Sequence, residues 1–328
     1  MTGREVPRSI EFRAVIDEPT GYALAEIFRE YWPAYKRWML KASSTPARDY
    51  QARLRSFMPE LVPVYERLIE SFDGEEPDAV ARFLSLYNPP RVVRGCSQLV
   101  LDTDDGPLLL RSYDHHPAMI DGLIVKSTWN DRAVIAMSDC IWGALDGINQ
   151  DGLAISLAFG GRDVVGPGFA APLITRYILE TCATVSEARA ALARVPVYMP
   201  YTFLVVDASG DFITAYTGPD APSRFVERRA STNHQSTEDW PEYRRFTQSV
   251  ERLTMLESMI NETEQHPPAI DCFLRPPLWR RNYAQASGTL YIAEYRPANR
   301  TLSLHWPARQ ERFGLDTFVE REITVPLG

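Results

Sequence analysis

From Tyr22 to about Leu86 the apolar residues recur at helical spacing: Leu24, Ile27, Phe28, Tyr31 and Trp32, then Leu54, Phe57, Met58, Leu61, Val64 and Leu68. That period predicts two or three amphipathic helices. Pro33, Pro46, Pro59, Pro63 and Pro77 punctuate the stretch and fix its helix boundaries only to within several residues, because an interior proline kinks or ends a helix. The helical opening closes at Asn88-Pro89-Pro90.

Beyond the double proline the period changes to that of strands. SQLVLDTDDGPLLLRSYD joins two apolar runs through Asp104, Asp105 and Gly106, a hairpin signal, and LIVKSTWNDRAVIAMSD repeats it with Asn130-Asp131 at the tip. GLAISLAF reads as a buried strand, followed by the glycine-rich FGGRDVVGPGF. APLITRYILETCA and SEARAALARV return to helical spacing, the second with Thr184 as its cap. YTFLVVDASGDFITAYTG and GTLYIAEYRPANRTLSLHW are further hairpins, a long helix is predicted from Pro241 to Thr263, and FVEREITVPL reads as a closing strand. The order helices, strands, helices, strands predicts an α+β layered domain rather than a doubly wound sheet.

Composition narrows the function classes. The 328 residues are 45% hydrophobic and 24% charged, ordinary values for a globular chain. A net charge of -8 has the wrong sign for a phosphate backbone, which sets nucleic acid aside. Cys96, Cys140, Cys182 and Cys272 lie far apart without a C-x-x-C pair, so neither zinc nor a secreted disulfide framework is expected. No apolar run approaches the length of a membrane span, and MTGREVPRSIEFRAV lacks the features of a leader; a cytoplasmic protein is expected.

Chemistry concentrates in RVVRGCSQLV. A lone buried cysteine is ordinarily a small hydrophobe. Here Gly95 precedes Cys96, which leaves the preceding carbonyl open to attack by the thiol, and the hairpin returns as LLLRSYD, carrying Arg111 and Asp114 toward the same end of the sheet. A guanidinium beside the thiol would lower its pKa. Asp114 is suited to orienting a proton-bearing amine. His115-His116 offers no third ligand at metal spacing, FGGRDVVGPGF lacks a phosphate-cradle pattern, and Asp102, Asp104 and Asp105 lack the distal glutamate of a calcium loop. No metal or other cofactor is expected. WRR at Trp279 to Arg281 reads either as a loop over the pocket or as an ordinary surface segment.

The run GCSQLVLDTDDGPLLLRSYD resembles the acyl-coenzyme A:6-aminopenicillanate acyltransferase family of amino-terminal-nucleophile (Ntn) hydrolases, distant relatives of choloylglycine hydrolases and acid ceramidase. INQDGLAISLAFGG resembles the family's Asn-x-x-Gly-Leu strand and glycine loop, GFAAPLITRYILETCATVSEARAALARVPV its helix pair, and STNHQ its oxyanion-hole segment. The resemblance spans roughly residues 91 to 255. It implies a four-layer αββα sandwich with a helical amino-terminal segment: residues 1–95 a propeptide or small chain, residues 96–328 the catalytic domain.

It also implies self-cleavage at Gly95-Cys96, after which the new α-amine serves as the base for the thiol. Carried over by position, Cys96 is the nucleophile, Arg111 the basic residue of the second strand, Asp114 the carboxylate three residues on, and Asn233 the oxyanion amide. Arg252, preferred over Arg245, is the later arginine, with a backbone N–H of Ala158 or Phe159 as the second oxyanion donor. The implied substrate is a small N-acyl compound, with acyl-coenzyme A, or an amine as acceptor, as the further partner of a transferase, and a homo-oligomer is compatible with the resemblance. Two other readings stand beside this one: an unprocessed Cys-His hydrolase using His234, and a noncatalytic binding module on the same scaffold.

Overall fold

The computed structural model describes residues 5–20, 22–39, 47–72, 77–236, 240–261 and 269–327; Pro46 and Thr263 lie outside them. The first element is a strand, β1 (Ser9–Asp17), which the helical reading of the opening passed over although Ile10, Phe12 and Ala14 alternate with Glu11 and Arg13. Four helices follow: α1 (Ala23–Met39), α2 (Ala47–Phe57), α3 (Val62–Ser71) and α4 (Pro77–Ser85). Pro33 is accommodated within α1. The helices unite around Phe28, Trp32 and Phe83, with the Phe28 and Phe83 rings stacked at 5.4 Å.

The hairpin predicted around Gly106 is β2 (Gly95–Thr103) and β3 (Gly106–His115). Strands β4 (Leu123–Ser127), β5 (Val134–Asp139), β6 (Gly143–Asn149) and β7 (Ala154–Phe159) meander on, β6 being one the turn signals had not separated. Helices α5 (Ala171–Thr181) and α6 (Val185–Arg194) match the predicted pair, and the Thr184 hydroxyl caps α6 by accepting the Glu187 N–H. Then come β8 (Tyr201–Val206), β9 (Phe212–Gly218), β10 (Ala221–Val226) and β11 (Ala230–Ser231). The long helix expected from Pro241 is two helices, α7 (Pro241–Thr247) and α8 (Ser249–Asn261), broken where Gln248 turns left-handed at φ 51°. Helix α9 (Ala269–Phe273) and strands β12 (Arg281–Asn282), β13 (Ser287–Arg296), β14 (Thr301–Trp306), β15 (Arg309–Gly314) and β16 (Arg321–Pro326) complete the chain.

Two sheets result. The larger has the order β10-β9-β8-β7-β6-β5-β4-β1-β16, antiparallel except that β1 runs parallel to β4. The smaller has the order β11-β2-β3-β13-β14-β15, with β12 beside β13. They stack face to face where β2 meets β7 and β8, and where β13 and β14 meet β6. Helices α5 and α6 cover the outer face of the larger sheet and α8 lies on β2 and β11, giving the four layers αββα. Among the described residues no helix is long and apolar enough to cross a membrane.

Candidate active site

Cys96 lies near the start of β2, opposite Tyr113 of β3, with its side chain wholly buried between the sheets. The register that pairs Gln98 with Arg111 and Gly95 with Asp114 brings both predicted partners to the strand's beginning. Arg111 Nη2 donates to the thiol sulfur at 3.2 Å. The other side of the guanidinium is held by the Asp146 carboxylate of β6 and by the Leu157 carbonyl, which accepts from Nε at 3.2 Å. Tyr291 braces the same pair, its hydroxyl donating to Asp146 at 2.8 Å, and Tyr295 also donates to Asp146. The Arg111 guanidinium carbon lies 4.7 Å from the centroid of the Tyr113 ring.

The main chain of Cys96 is held as closely as its sulfur. Its N–H donates to Asn233 Oδ1 at 2.8 Å, and its carbonyl accepts from Arg252 Nη1 at 2.6 Å. Arg252 also donates to Ser97 Oγ and to Asn233 Oδ1, each at 2.8 Å. Arg245, by contrast, is exposed and faces Glu242. The break at Gln248 is what aims Arg252. It turns the Thr247 carbonyl out of helical pairing, where it accepts from Arg252 Nε at 2.8 Å and from Arg280 Nη1 at 2.8 Å. The Trp279 to Arg281 segment is therefore a buried strut at Arg280 rather than a surface loop.

Asp114 Oδ1 accepts from the Thr289 hydroxyl at 2.8 Å, while Oδ2 is buried without a hydrogen-bond partner among the described residues and lies 3.9 Å from Arg252 Nη1. This carboxylate explains the glycine before the thiol. A Cβ on Gly95 would stand 2.9 Å from Asp114 Cβ and 3.0 Å from Oδ2. Gly161, at φ 77°, is needed for a similar reason, since a Cβ there would meet the Asn233 carbonyl at 2.3 Å. The glycine loop thus packs against the segment that carries Asn233.

Asn233 Nδ2 donates to the carbonyls of Arg94 at 3.1 Å and Phe159 at 3.2 Å. Leu157 and Phe159 turn their carbonyls to the edge of β7 that β6 leaves free. Strand alternation turns the Phe159 N–H to that edge too, and the Ala158 amide toward β8. His234 directs Nδ1 at the Ser249 hydroxyl, 3.0 Å away, and at Thr232 Oγ1, 3.3 Å away.

One electrostatic expectation is reversed. Burial pushes the Cys96 thiol up from its ordinary value; Arg111 draws it down, but in the continuous chain that attraction is the smaller effect. Sequence reasoning also passed over Asp146 and Tyr243, and took in Arg280 only as part of the Trp279 to Arg281 segment. Asp146 carries a readable signal, a carboxylate within the otherwise uncharged GALDGIN, because a buried charge requires a partner. Tyr243, whose hydroxyl donates to the Arg94 carbonyl at 2.6 Å, carries none.

Comparison with known proteins joins this geometry to a family. No curated protein matches the chain. Among solved structures it is similar to a mutant of conjugated bile acid hydrolase from Clostridium perfringens, with 12% identity, 70% of this chain and 96% of that chain covered, and a TM-score of 0.47. It is similar to penicillin V acylase from Agrobacterium tumefaciens, with 13% identity, 71% and 92% covered, and a TM-score of 0.45. For the Caenorhabditis elegans ortholog of N-acylethanolamine-hydrolyzing acid amidase the values are 16%, 70%, 100% and 0.48. A family model described as acyl-coenzyme A:6-aminopenicillanic acid acyl-transferase matches residues 101–311, a span that begins just past Cys96. The chain belongs to that family of Ntn enzymes, which act on amides by hydrolysis or acyl transfer.

Proposed function

We propose that the protein is a self-processing cysteine amidase or acyltransferase whose nucleophile is the Cys96 thiol. The observation that carries this reading is the joint grip on one residue: Arg111 on its sulfur, Asn233 on its N–H and Arg252 on its carbonyl. An ordinary core cysteine has no need of two buried guanidinium groups.

Cleavage begins with attack of Cys96 Sγ on the Gly95 carbonyl carbon. The peptide C–N bond breaks as the nitrogen takes a proton, the acyl group passes to sulfur, and water hydrolyses the thioester. The new α-amine, with a pKa near 7.7 to 8 in an unperturbed terminus, then accepts the thiol proton that an amide nitrogen cannot. Asp114 Oδ2, which accepts no hydrogen bond from the described residues and lies beside Gly95, would receive the ammonium form of that amine. Once the Arg94 carbonyl has left it, Asn233 Nδ2 would face the oxyanion of the substrate's acyl intermediate together with the Phe159 N–H; removing such a donor costs about a hundred- to a thousandfold in rate. Cys96, Arg111, Asp114, Asn233 and Arg252 have no exposed surface in the continuous chain. An amide substrate has no route to the sulfur until the residues before it withdraw, which supports a zymogen. The same acyl-enzyme serves hydrolysis when water arrives and transfer when an amine does.

Intact-mass analysis of fresh protein tests the reading. Two polypeptides divided before Cys96 are expected, with one whole chain for Cys96→Ala, and an acyl-mimicking electrophile should add once to wild type, at Cys96. An uncut wild type whose Cys96 ignores the electrophile would refute it.

A further inference from the structure

The Gly95 carbonyl stands where every later acyl group must stand to reach the Cys96 sulfur. Whatever holds the residue before Gly95 therefore lines the acyl side of the substrate site. That residue is Arg94, and it is gripped at both ends. Its carbonyl accepts from Asn233 Nδ2 at 3.1 Å and from the Tyr243 hydroxyl at 2.6 Å. Its guanidinium donates from Nη1 to Asp139 Oδ2 at 2.6 Å and lies 5.7 Å from the centroid of the Tyr113 ring. Asp139, the last residue of β5, is 2% exposed, and Tyr113 is wholly buried, its hydroxyl without a hydrogen-bond partner among the described residues. A carboxylate, an aromatic face and a free hydroxyl make a built pocket, and in the continuous chain a cation fills it.

Hydrolysis empties it. The product carboxylate of Gly95 forms against Asp114, a repulsion of like charges that favours departure of the strand end bearing Arg94. Asp139 is then left buried without the guanidinium that compensated it, which is costly until another cation arrives.

Resting on the reading of Cys96 as the acyl-bearing nucleophile, we infer that the Asp139–Tyr113 pocket is the acyl-side subsite of the mature enzyme. It selects substrates whose acyl group has the reach of an arginyl-glycyl unit and ends in a guanidinium or ammonium group, with an amide carbonyl that the Tyr243 hydroxyl binds on the way. Turnover of such a compound repeats the maturation chemistry. The Cys96 thiolate attacks the glycyl carbonyl, the C–N bond breaks as the departing amine takes the proton held on the α-amine, and water cleaves the thioester.

The test uses processed wild-type protein and a matched pair, N-acetyl-arginyl-glycyl para-nitroanilide and its citrulline counterpart, which differ in charge and hardly in shape. The arginine compound is expected to have a kcat/KM about ten- to a hundredfold higher, the range of a charge-assisted hydrogen bond, and the ratio should fall toward one in Asp139→Asn. Equal values in wild type, or an unaltered ratio in the variant, would overturn the subsite. If the variant does not fold, competition in wild type by N-acetyl-arginyl-glycine against its citrulline analogue decides: stronger inhibition by the cation supports the pocket and equal inhibition removes it. Processing and electrophile labelling of Cys96 are read first. Cut, labelled protein without charge preference removes the subsite and leaves the amidase; uncut, unlabelled protein removes both.

Discussion

Arg111 stands between the Cys96 sulfur and the Asp146 carboxylate, and its bond to Asp146 shapes what it can do for Cys96. Asp146 neutralises part of the guanidinium's charge, so the thiolate receives less of it. In Asp146→Asn the alkylation of Cys96 in processed protein should extend to lower pH, because the released positive charge favours thiolate. In Arg111→Met it should retreat to higher pH. Alkylation rate measured against pH distinguishes the two directions. A purely structural Asp146 would slow both limbs alike. The removal of one partner from a buried ion pair also carries a stability cost of about 3–5 kcal/mol. At this scale much was readable in the chain: Cys96, Gly95, Arg111, Asp114, Asn233 and Arg252 converge because two strands in register, the segment after β11 and one helix face bring them together. Tyr243 and the partners of Asp146 and Arg280 were not read, since those partners come from other strands and helices with no fixed spacing to announce them.

Among the elements, the break between α7 and α8 is the clearest departure from the periodic pattern. Apolar spacing runs through Gln248 without interruption, so sequence periodicity predicted one helix; the left-handed turn is set by tertiary demand for the Thr247 carbonyl. A residue with a Cβ is strained in that conformation by about 1–2 kcal/mol. Gln248→Gly is therefore expected to raise stability by about 1 kcal/mol, read as a higher urea midpoint, with Arg252 left in place. The hairpins β2–β3, β8–β9 and β13–β14 were legible because turn residues sit between β-branched and aromatic runs. Strand β1 has the same alternation, but its partners β4 and β16 are remote in sequence and no turn points to them.

For the molecule as a whole, β1 unites what cleavage would divide. It fills the gap between β4 and β16, and Phe12 packs with its ring centroid 5.2 Å from that of Trp306 in the other sheet. Phe12→Ala should cost about 3–5 kcal/mol, measured by denaturant unfolding. After processing, the segments 1–95 and 96–328 are expected to co-elute in native gel filtration and to part only in denaturant. A second whole-molecule property is acid–base. Burial and the nearby Asp139 hold the Asp121 carboxyl well above the usual carboxylate range, although the Tyr35 hydroxyl donates to it. The folded state thus keeps a proton that the unfolded chain releases near pH 4, and stability should fall as pH rises from there toward neutrality. Asp121→Asn should flatten that slope in urea midpoints taken from pH 5 to pH 8.

For the proposed cleavage, the central place of β1 dictates an order of events. Two separate pieces would have to find each other by diffusion, at a rate tied to their dilution, whereas the uncut tether supplies its own partner at a high effective concentration. A scission that waits for both sheets to close spares the protein that search, and an active centre completed only by the finished sheets is its own timer.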